Sequence, residues 1–394
     1  MKARHTVQEV LRQFDSSTIP NPHSRGALSR LVACRTSALG YHQYRCDDDG
    51  CSGHHYQYHS CRNRHCPSCN WQKQDEWMEA RTRELLPVKY YHTVFTLPRE
   101  LNALVMGNRR ELFKLLFDSA SHCLLKLCAD PKWLGAVPSI TAVLHTWGQQ
   151  LTFHPHVHCI VSGGGADKHH NWHVMPKSAK YGYLLPYEVM EPVYKGYFLQ
   201  HLGKKVARGV VRLPPGVHWP DLRDELYQKR WVVYAKPPMG GVSQVVEYLA
   251  RYAHKVAISN YRILEVTPTQ VRFQYKDYQD GRKTKTMSLQ VGEFVRRFEQ
   301  HVLPRGFVKM RHYGLLANNG RGRRMALVME RMGLPPHPPP IKVPFHVRCL
   351  ERFGVDVLLC PKCQKGQLQL AGVVFPRSRG SPARPNLKFE TKAH

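Results

Sequence analysis

The sequence predicts an α+β protein: a central domain built on an antiparallel sheet with helices around it, a small metal-binding module before it and a second Cys-bearing module after it. Three observations carry this. Short runs rich in β-branched and aromatic residues come in pairs and alternate with amphipathic helical patterns. Of twelve Cys, five lie between Cys46 and Cys69 and three between Cys349 and Cys363. The hydrophobic share, 42% of 394 residues, is that of an ordinary globular chain, which excludes a wholly disordered protein.

Taken in order, residues 1–80 hold a short helical lead-in and the first Cys cluster. Residues 88–315 form the main domain. There Tyr90-Tyr-His-Thr-Val-Phe-Thr-Leu97 reads as a strand stopped by Pro98. Residues 109–129 carry helical periodicity through Leu112, Leu115, Leu116, Ser119 and Cys123. Ile140–Trp147 and Leu151–Val161 read as strands joined at Gly148-Gln149, the second ended by Gly163-Gly-Gly165. Val242–Ala257 reads as a helix, and Val271–Tyr275 with Thr284–Leu289 as a hairpin turning at Asp280-Gly281. Residues 316–345 read as a basic, Pro-rich linker, 346–376 as a small Cys-bearing module and 377–394 as a disordered tail.

Charge narrows the function. Lys and Arg number 58 against 29 Asp and Glu, a formal surplus of +29. A polyanionic partner offsets the resulting self-repulsion, and nucleic acid is the leading candidate because each neutralised phosphate releases counterions. No run approaches the ~20 apolar residues that span a bilayer, and Met1-Lys-Ala-Arg-His5 does not open a secretory signal. No membrane partner and no export are therefore expected.

In a chain that is not exported, clustered Cys point to metal rather than disulfides. Cys46-x4-Cys51-x14-Cys66-Pro-Ser-Cys69 has the spacing of a tetrahedral Zn²⁺ site, with Cys61 and His65 as substitute ligands. Four protein ligands leave no open position, so this zinc is structural. The His-x-Glu and Pro-Cys-x-x-Cys signature of zinc deaminases is absent. Arg62 and Arg64 beside the cluster would meet phosphate if the module binds DNA. Cys360-Pro-Lys-Cys363 is half of a second site that His346 and Cys349 would complete, the alternative being a plain turn with reduced thiols.

His154-Pro-His156-Val-His158 lies in an apolar strand pattern. Residues i and i+2 share a face, so His156 and His158 project together, about 7 Å apart along the strand, and with a third group can hold a metal. A His-rich solvent face is the competing reading. Further on, Tyr248 and Tyr252 share one polar, basic helix face with Gln244, Arg251, Lys255 and Ser259, while Val246, Leu249, Ala253, Val256 and Ala257 make the apolar stripe. Two core aromatics are the competing reading there. A tyrosine can attack a phosphodiester if activated, and Lys255 or Arg251 can favour the phenolate.

Together, His-hydrophobic-His on a strand and Tyr-x-x-x-Tyr on a later helix resemble the two-tyrosine HUH nucleases. The match is closest to the rolling-circle insertion-sequence transposases, the family numbered ninety-one. It is carried by Cys34-Arg-Thr-Ser-Ala-Leu-Gly40, Ser60–Cys69, Leu151–Val161, Tyr248–Asn260 and Gly306–Ala317, in order over about residues 30–320. The resemblance implies an HUH domain with an antiparallel sheet flanked by helices, and an N-terminal zinc-binding DNA-binding domain. It implies nicking and joining of single-stranded DNA at transposon ends through 5′-phosphotyrosine, with Tyr248 and Tyr252 as nucleophiles. It further implies Mg²⁺ or Mn²⁺ on His156 and His158, with Gln149, seven residues before His156, as the third ligand. A free 3′-hydroxyl would prime host replication, and the protein would work in the bacterial cytoplasm, at the nucleoid. No phosphate-binding Gly-x4-Gly-Lys-Ser/Thr loop is present, so the chain carries no helicase of its own. A plasmid or phage replication initiator or relaxase shares the chemistry. A non-catalytic zinc DNA-binding regulator, its tyrosines stacking on bases, is the alternative of another class.

Overall fold

The computed structural model describes residues 3–69, 71–174, 184–236, 242, 244–246, 255–339, 341 and 343–376. Its helices are α1 (Val7–Arg12), α2 (Pro22–Val32), α3 (Trp71–Arg83), α4 (Asn102–Gly107), α5 (Arg109–Ala129), α6 (Tyr187–Ala207), α7 (Trp219–Gln228), α8 (Val291–Glu299), α9 (Arg321–Arg331) and α10 (Phe345–Phe353). Its strands are β1 (Tyr41–Cys46), β2 (His54–Tyr58), β3 (Tyr90–Thr96), β4 (Val137–Trp147), β5 (Phe153–Ala166), β6 (Trp172–Val174), β7 (Val233–Ala235), β8 (Ile263–Val266), β9 (Gln270–Asp277), β10 (Lys283–Gln290), β11 (Met310–Gly314) and β12 (Leu368–Val374). The expected α+β class with antiparallel sheets and flanking helices is what the chain adopts.

The chain forms two units. Gln72–Pro338 is one; Met1–Trp71 with Pro339–His394 is the other. In the larger unit the main sheet runs β11-β4-β5-β3-β7, with β6 paired to β5. Alternation along β5 sorts its side chains. Val157, Cys159 and Val161 join Phe95, Leu144 and Ile140 on one face, packed against Leu112, Phe113, Leu116 and Phe117 of α5 and Tyr194 and Phe198 of α6. Each such buried side chain contributes about 1.5–3 kcal/mol. The other face carries His156, His158 and Ile160. Tyr90, Ile160 and Val245 cluster on it, flanked by Trp77, Met78, Leu85 and Val88.

The expected hairpin at Asp280-Gly281 is present as β9 and β10, with Gly281 at φ +56°. Its sheet, β10-β9-β8, packs Phe273 on Phe294 of α8. Three expectations give way. Gly163-Gly-Gly165 does not end β5 but lies inside it: a Cβ on Gly163 would sit 3.0 Å from the Lys89 carbonyl oxygen, on Gly164 2.5 Å from that of His173, and on Gly165 2.5 Å from that of Val137. The glycines are there because neighbouring backbone crowds the strand on three sides. The basic stretch of the expected linker is instead α9, whose Met325, Val328 and Met329 bury against Leu86, Leu315 and Leu316. The expected helix over Val242–Ala257 is helical at Val242 and Gln244–Val246, whereas Lys255, Val256 and Ala257 are not helical.

In the smaller unit, Thr6 and Glu9 cap α1 reciprocally, and α1 and α2 bury Val7, Val10, Leu11, Leu28 and Leu31. Its sheet runs β12-β1-β2. The Cys-bearing segment expected to stand alone at 346–376 therefore supplies an edge strand to a sheet begun at Tyr41, pairing Tyr41 with Val374 and Cys46 with Leu368.

Candidate metal and DNA-cleavage site

The site in the larger unit begins with register. β4 and β5 are antiparallel, and His145 pairs with His156 while Val143 pairs with His158. β3 flanks β5 on its other side, pairing Thr96 with His156 and Val94 with His158. Cross-strand partners share a face. His145, His156 and His158 are thus brought together on the face opposite α5 and α6, and their ligand nitrogens lie within 4.8 Å of one another. Ring centroids are 5.6 Å apart for His145 and His156, 4.5 Å for His145 and His158, and 4.8 Å for His156 and His158.

Neighbours orient these rings. His156 Nδ1 is 2.7 Å from the His154 carbonyl oxygen, to which it donates, leaving Nε2 as the ligand atom. His158 Nδ1 is 2.9 Å from His92 Nε2 in a near-parallel stack, the two rings sharing one proton between those nitrogens. Burial, with His154 and Lys255 nearby, pushes the His156 imidazole down to about 3. Burial with His145, His156, His92 and Lys255 holds His158 well below its ordinary value, and burial with Lys236 and His156 pushes His92 down to about 3. Neutral imidazoles present lone pairs, which is the form a metal takes.

Gln149 does not join this group. Its carbonyl oxygen accepts from Arg262 and its side-chain oxygen from the Lys276 N–H at 3.5 Å, so it ties the β4–β5 turn to β9. The side chain that stands with His156 and His158 is His145. The cause is the turn and the strand beside it. A two-residue turn at Gly148-Gln149 would pair residue 145 with residue 152. The real turn is longer, with Leu151 at φ +59°, and pairs Trp147 with Phe153; a register shift between Trp147 and His145 then sets His145 against His156. Neither the loop length nor the bulge has a local signature in the sequence.

Two described residues bracket positions 247–254. Val245 is buried on Tyr90 and Ile160, on the His face. Lys255 lies close enough to act on His156 and His158, and its own ammonium is held below its ordinary value by desolvation, Arg262 and Lys276. Lys309 Nζ donates to the Lys255 carbonyl at 2.8 Å and stands 5.0 Å over the Trp147 ring, a cation the sequence reading missed. Tyr248, Tyr252 and Arg251 lie outside the described residues.

The thiols of the smaller unit regroup. Cys34, Cys61, Cys66 and Cys69 converge, with Sγ–Sγ distances of 3.6 Å for Cys61 and Cys69 and 3.7 Å for Cys66 and Cys34. A tetrahedral Zn²⁺ with bonds of about 2.3 Å needs edges of about 3.8 Å. The backbone N–H groups of Cys61 and Asn63 donate to the sulfurs of Cys34 and Cys61 at 3.4 and 3.5 Å. Cys46 and Cys51, expected with Cys66 and Cys69, sit instead at the tip of the β1–β2 hairpin, while Cys34 and Cys61 sit at its base, where the Arg35 N–H bonds the His59 carbonyl. Five residues of strand separate tip from base by about 16 Å, so one ion cannot hold both. His65 is outside the cluster, and Arg62 and Arg64 are exposed beside it. His346 and Cys349, on α10, are not among the clustered ligands; Cys360 and Cys363 group with Cys46 and Cys51.

Comparison with known proteins now decides the family. Residues 139–324 match a family model described as "Putative transposase", and residues 6–97 match one described as "Transposase zinc-binding domain". A protein of Sinorhizobium fredii named "Putative transposase y4qJ" is 38% identical over 92% of this chain and 94% of its own length. The chain belongs to the IS91 family of transposases. The transposase for insertion sequence element IS801 of Pseudomonas savastanoi pv. phaseolicola is 27% identical over 88% of this chain and 83% of its own. No solved structure matches. The first model spans all three His of this transposase and Lys255; the second spans the Cys34 cluster, four thiols that could hold the zinc of a zinc-binding domain. No described helix is long and apolar enough to cross a membrane.

Proposed function

We propose that this transposase nicks and rejoins single-stranded DNA at the ends of its element by rolling-circle chemistry, with Tyr248 and Tyr252 as nucleophiles. The observation that carries the reading is the convergence of His145, His156 and His158 on the central strands, with Val245 and Lys255 against the same face on either side of the tyrosine segment.

Three imidazoles fit a divalent cation of the Mn²⁺ type better than Mg²⁺, which prefers oxygen donors. Such an ion, when bound, makes phosphorus more electrophilic and stabilises the leaving oxygen. The chain supplies the rest. A tyrosine phenolate forms the Oη–P bond, the P–O3′ bond breaks, and the 3′ oxygen leaves as a hydroxyl after taking up a proton. Lys255 and Lys309 supply positive charge beside the His face, which would favour a phenolate and the phosphate oxygens of a strand bound there. Two tyrosines let one strand end stay attached while a second is cut. The freed 3′-hydroxyl is then a primer for host synthesis. Arg62 and Arg64 in the zinc unit, with Arg251, contribute phosphate contacts.

The test incubates the full-length protein with a labelled single-stranded oligonucleotide pool containing the element's ends, with and without Mn²⁺, followed by a denaturing gel. A covalent protein–DNA band that requires metal and is lost in the Tyr248→Phe/Tyr252→Phe double variant is expected. Tight DNA binding with no adduct from any end sequence overturns the reading.

A further inference from the structure

The geometry points to a second structural zinc, held by Cys46, Cys51, Cys360 and Cys363, that clasps the late residues 360–374 onto a zinc domain begun some three hundred residues earlier. Its two thiol pairs come from opposite ends of the sequence, and half of its ligands lie outside residues 6–97, the span of the zinc-binding family model. The Sγ–Sγ distances are 3.6 Å for Cys46 and Cys363 and 4.0 Å for Cys51 and Cys360. These bracket the edge of about 3.8 Å that a Zn–thiolate tetrahedron requires and far exceed the ~2.0 Å of a disulfide. Four soft thiolates select zinc over Mg²⁺ or Ca²⁺.

The backbone is built around the four sulfurs. Cys51 sits in a turn closed by its N–H to the Asp48 carbonyl, and Cys360 in one closed by the Gln364 N–H to the Cys360 carbonyl. The Gly366 N–H donates to Cys363 Sγ at 3.4 Å. Two glycines stand where side chains would collide with sulfur. A Cβ on Gly366 would lie 2.5 Å from Cys46 Sγ, and one on Gly53 would lie 3.1 and 3.2 Å from the sulfurs of Cys51 and Cys360. The two turns are stitched together by the Asp47 N–H to the Gln367 carbonyl at 3.0 Å and the Gln367 N–H to the Asp47 carboxylate at 2.6 Å. From this clasp β12 runs on as the partner of β1. The metal thus decides whether β1 has one neighbour or two.

The experiment measures zinc in purified full-length protein by inductively coupled plasma mass spectrometry. Two ions per chain are expected, one for each four-thiol cluster. Cys360→Ser/Cys363→Ser should retain one; His346→Ala/Cys349→Ser should retain two; Cys363→His, which keeps a ligand, should retain two. A wild type with one ion, or loss of an ion from the His346/Cys349 variant alone, overturns the assignment. Should the Cys360/Cys363 variant fail to fold, chelator-dependent alkylation of the native wild type decides. Labelling of Cys46, Cys51, Cys360 and Cys363 only after zinc removal supports the clasp, and labelling of these four in the zinc-loaded protein overturns it.

Discussion

His145 and His156 oppose each other directly across two adjacent antiparallel strands, with ring centroids 5.6 Å apart and ring planes at 88°. Their ligand nitrogens, with that of His158, lie within 4.8 Å of one another. His145→Ala should therefore lower metal-dependent strand cleavage by more than the roughly 10–100-fold that loss of an outer partner costs. Gln149→Ala, whose main-chain and side-chain oxygens accept from Arg262 and Lys276, should cleave near the wild-type rate. Oligonucleotide cleavage at saturating Mn²⁺ compares the two, and the reverse order would remove His145 from the ligand set.

His92 is placed to hold the His158 ring through a 2.9 Å bond between Nε2 and Nδ1. His92→Ala should weaken metal affinity about 10–100-fold while leaving the ligands intact. Titrating cleavage against Mn²⁺ should show the deficit disappearing at high metal concentration. A loss that no amount of metal restores would mean that His92 does something other than position His158.

Cys34 closes the first zinc site, at 3.7 Å from Cys66 Sγ. Cys34→Ser should release one zinc and unfold the α1–α2 region, because a structural zinc contributes folding free energy directly. Metal analysis with far-ultraviolet circular dichroism reads both effects. Full zinc content in the Cys34→Ser variant would return the site to another ligand.

Gly314 ends β11 at φ +62°, and a Cβ there would lie 2.0 Å from the Pro138 carbonyl oxygen. Both the backbone conformation and the contact oppose any side chain, so Gly314→Ala should destabilise the larger unit by about 2–4 kcal/mol. Gly322→Ala, with open space at its Cβ, is the control and should leave the melting temperature nearly unchanged or raise it. Thermal melts of both variants check the pair.

Much of this was legible before any coordinates. Strands at Tyr90, Ile140 and Leu151, the long helix at 109–129 and the hairpin at Asp280-Gly281 follow from local pattern, because alternation and periodicity are set by which face is buried. His156 and His158 were legible for the same reason. His145 was not, because a strand's partner depends on the exact length of its hairpin loop and on any bulge, and here both a turn with Leu151 left-handed and a register shift between His145 and Trp147 set the pairing. Spacing along the chain groups Cys46 and Cys51 with Cys66 and Cys69 because it carries no information on which end of a hairpin each Cys occupies. The pairing of Leu368–Val374 with a sheet begun at Tyr41 is long-range and has no local signature.

That pairing sets a timetable. During synthesis Cys46 emerges roughly 300 residues before Leu368, its partner, an interval of about 15–60 s at about 5–20 residues per second. Throughout it β1 has an unpaired edge and two of its four clasp thiols lack their mates. A ribosome that stops early therefore releases a protein in which the His site can be intact but the zinc unit is unfinished. Completion of this unit requires that translation has passed the whole of the larger unit, so a truncated transposase would carry an open sheet edge that invites aggregation or proteolysis.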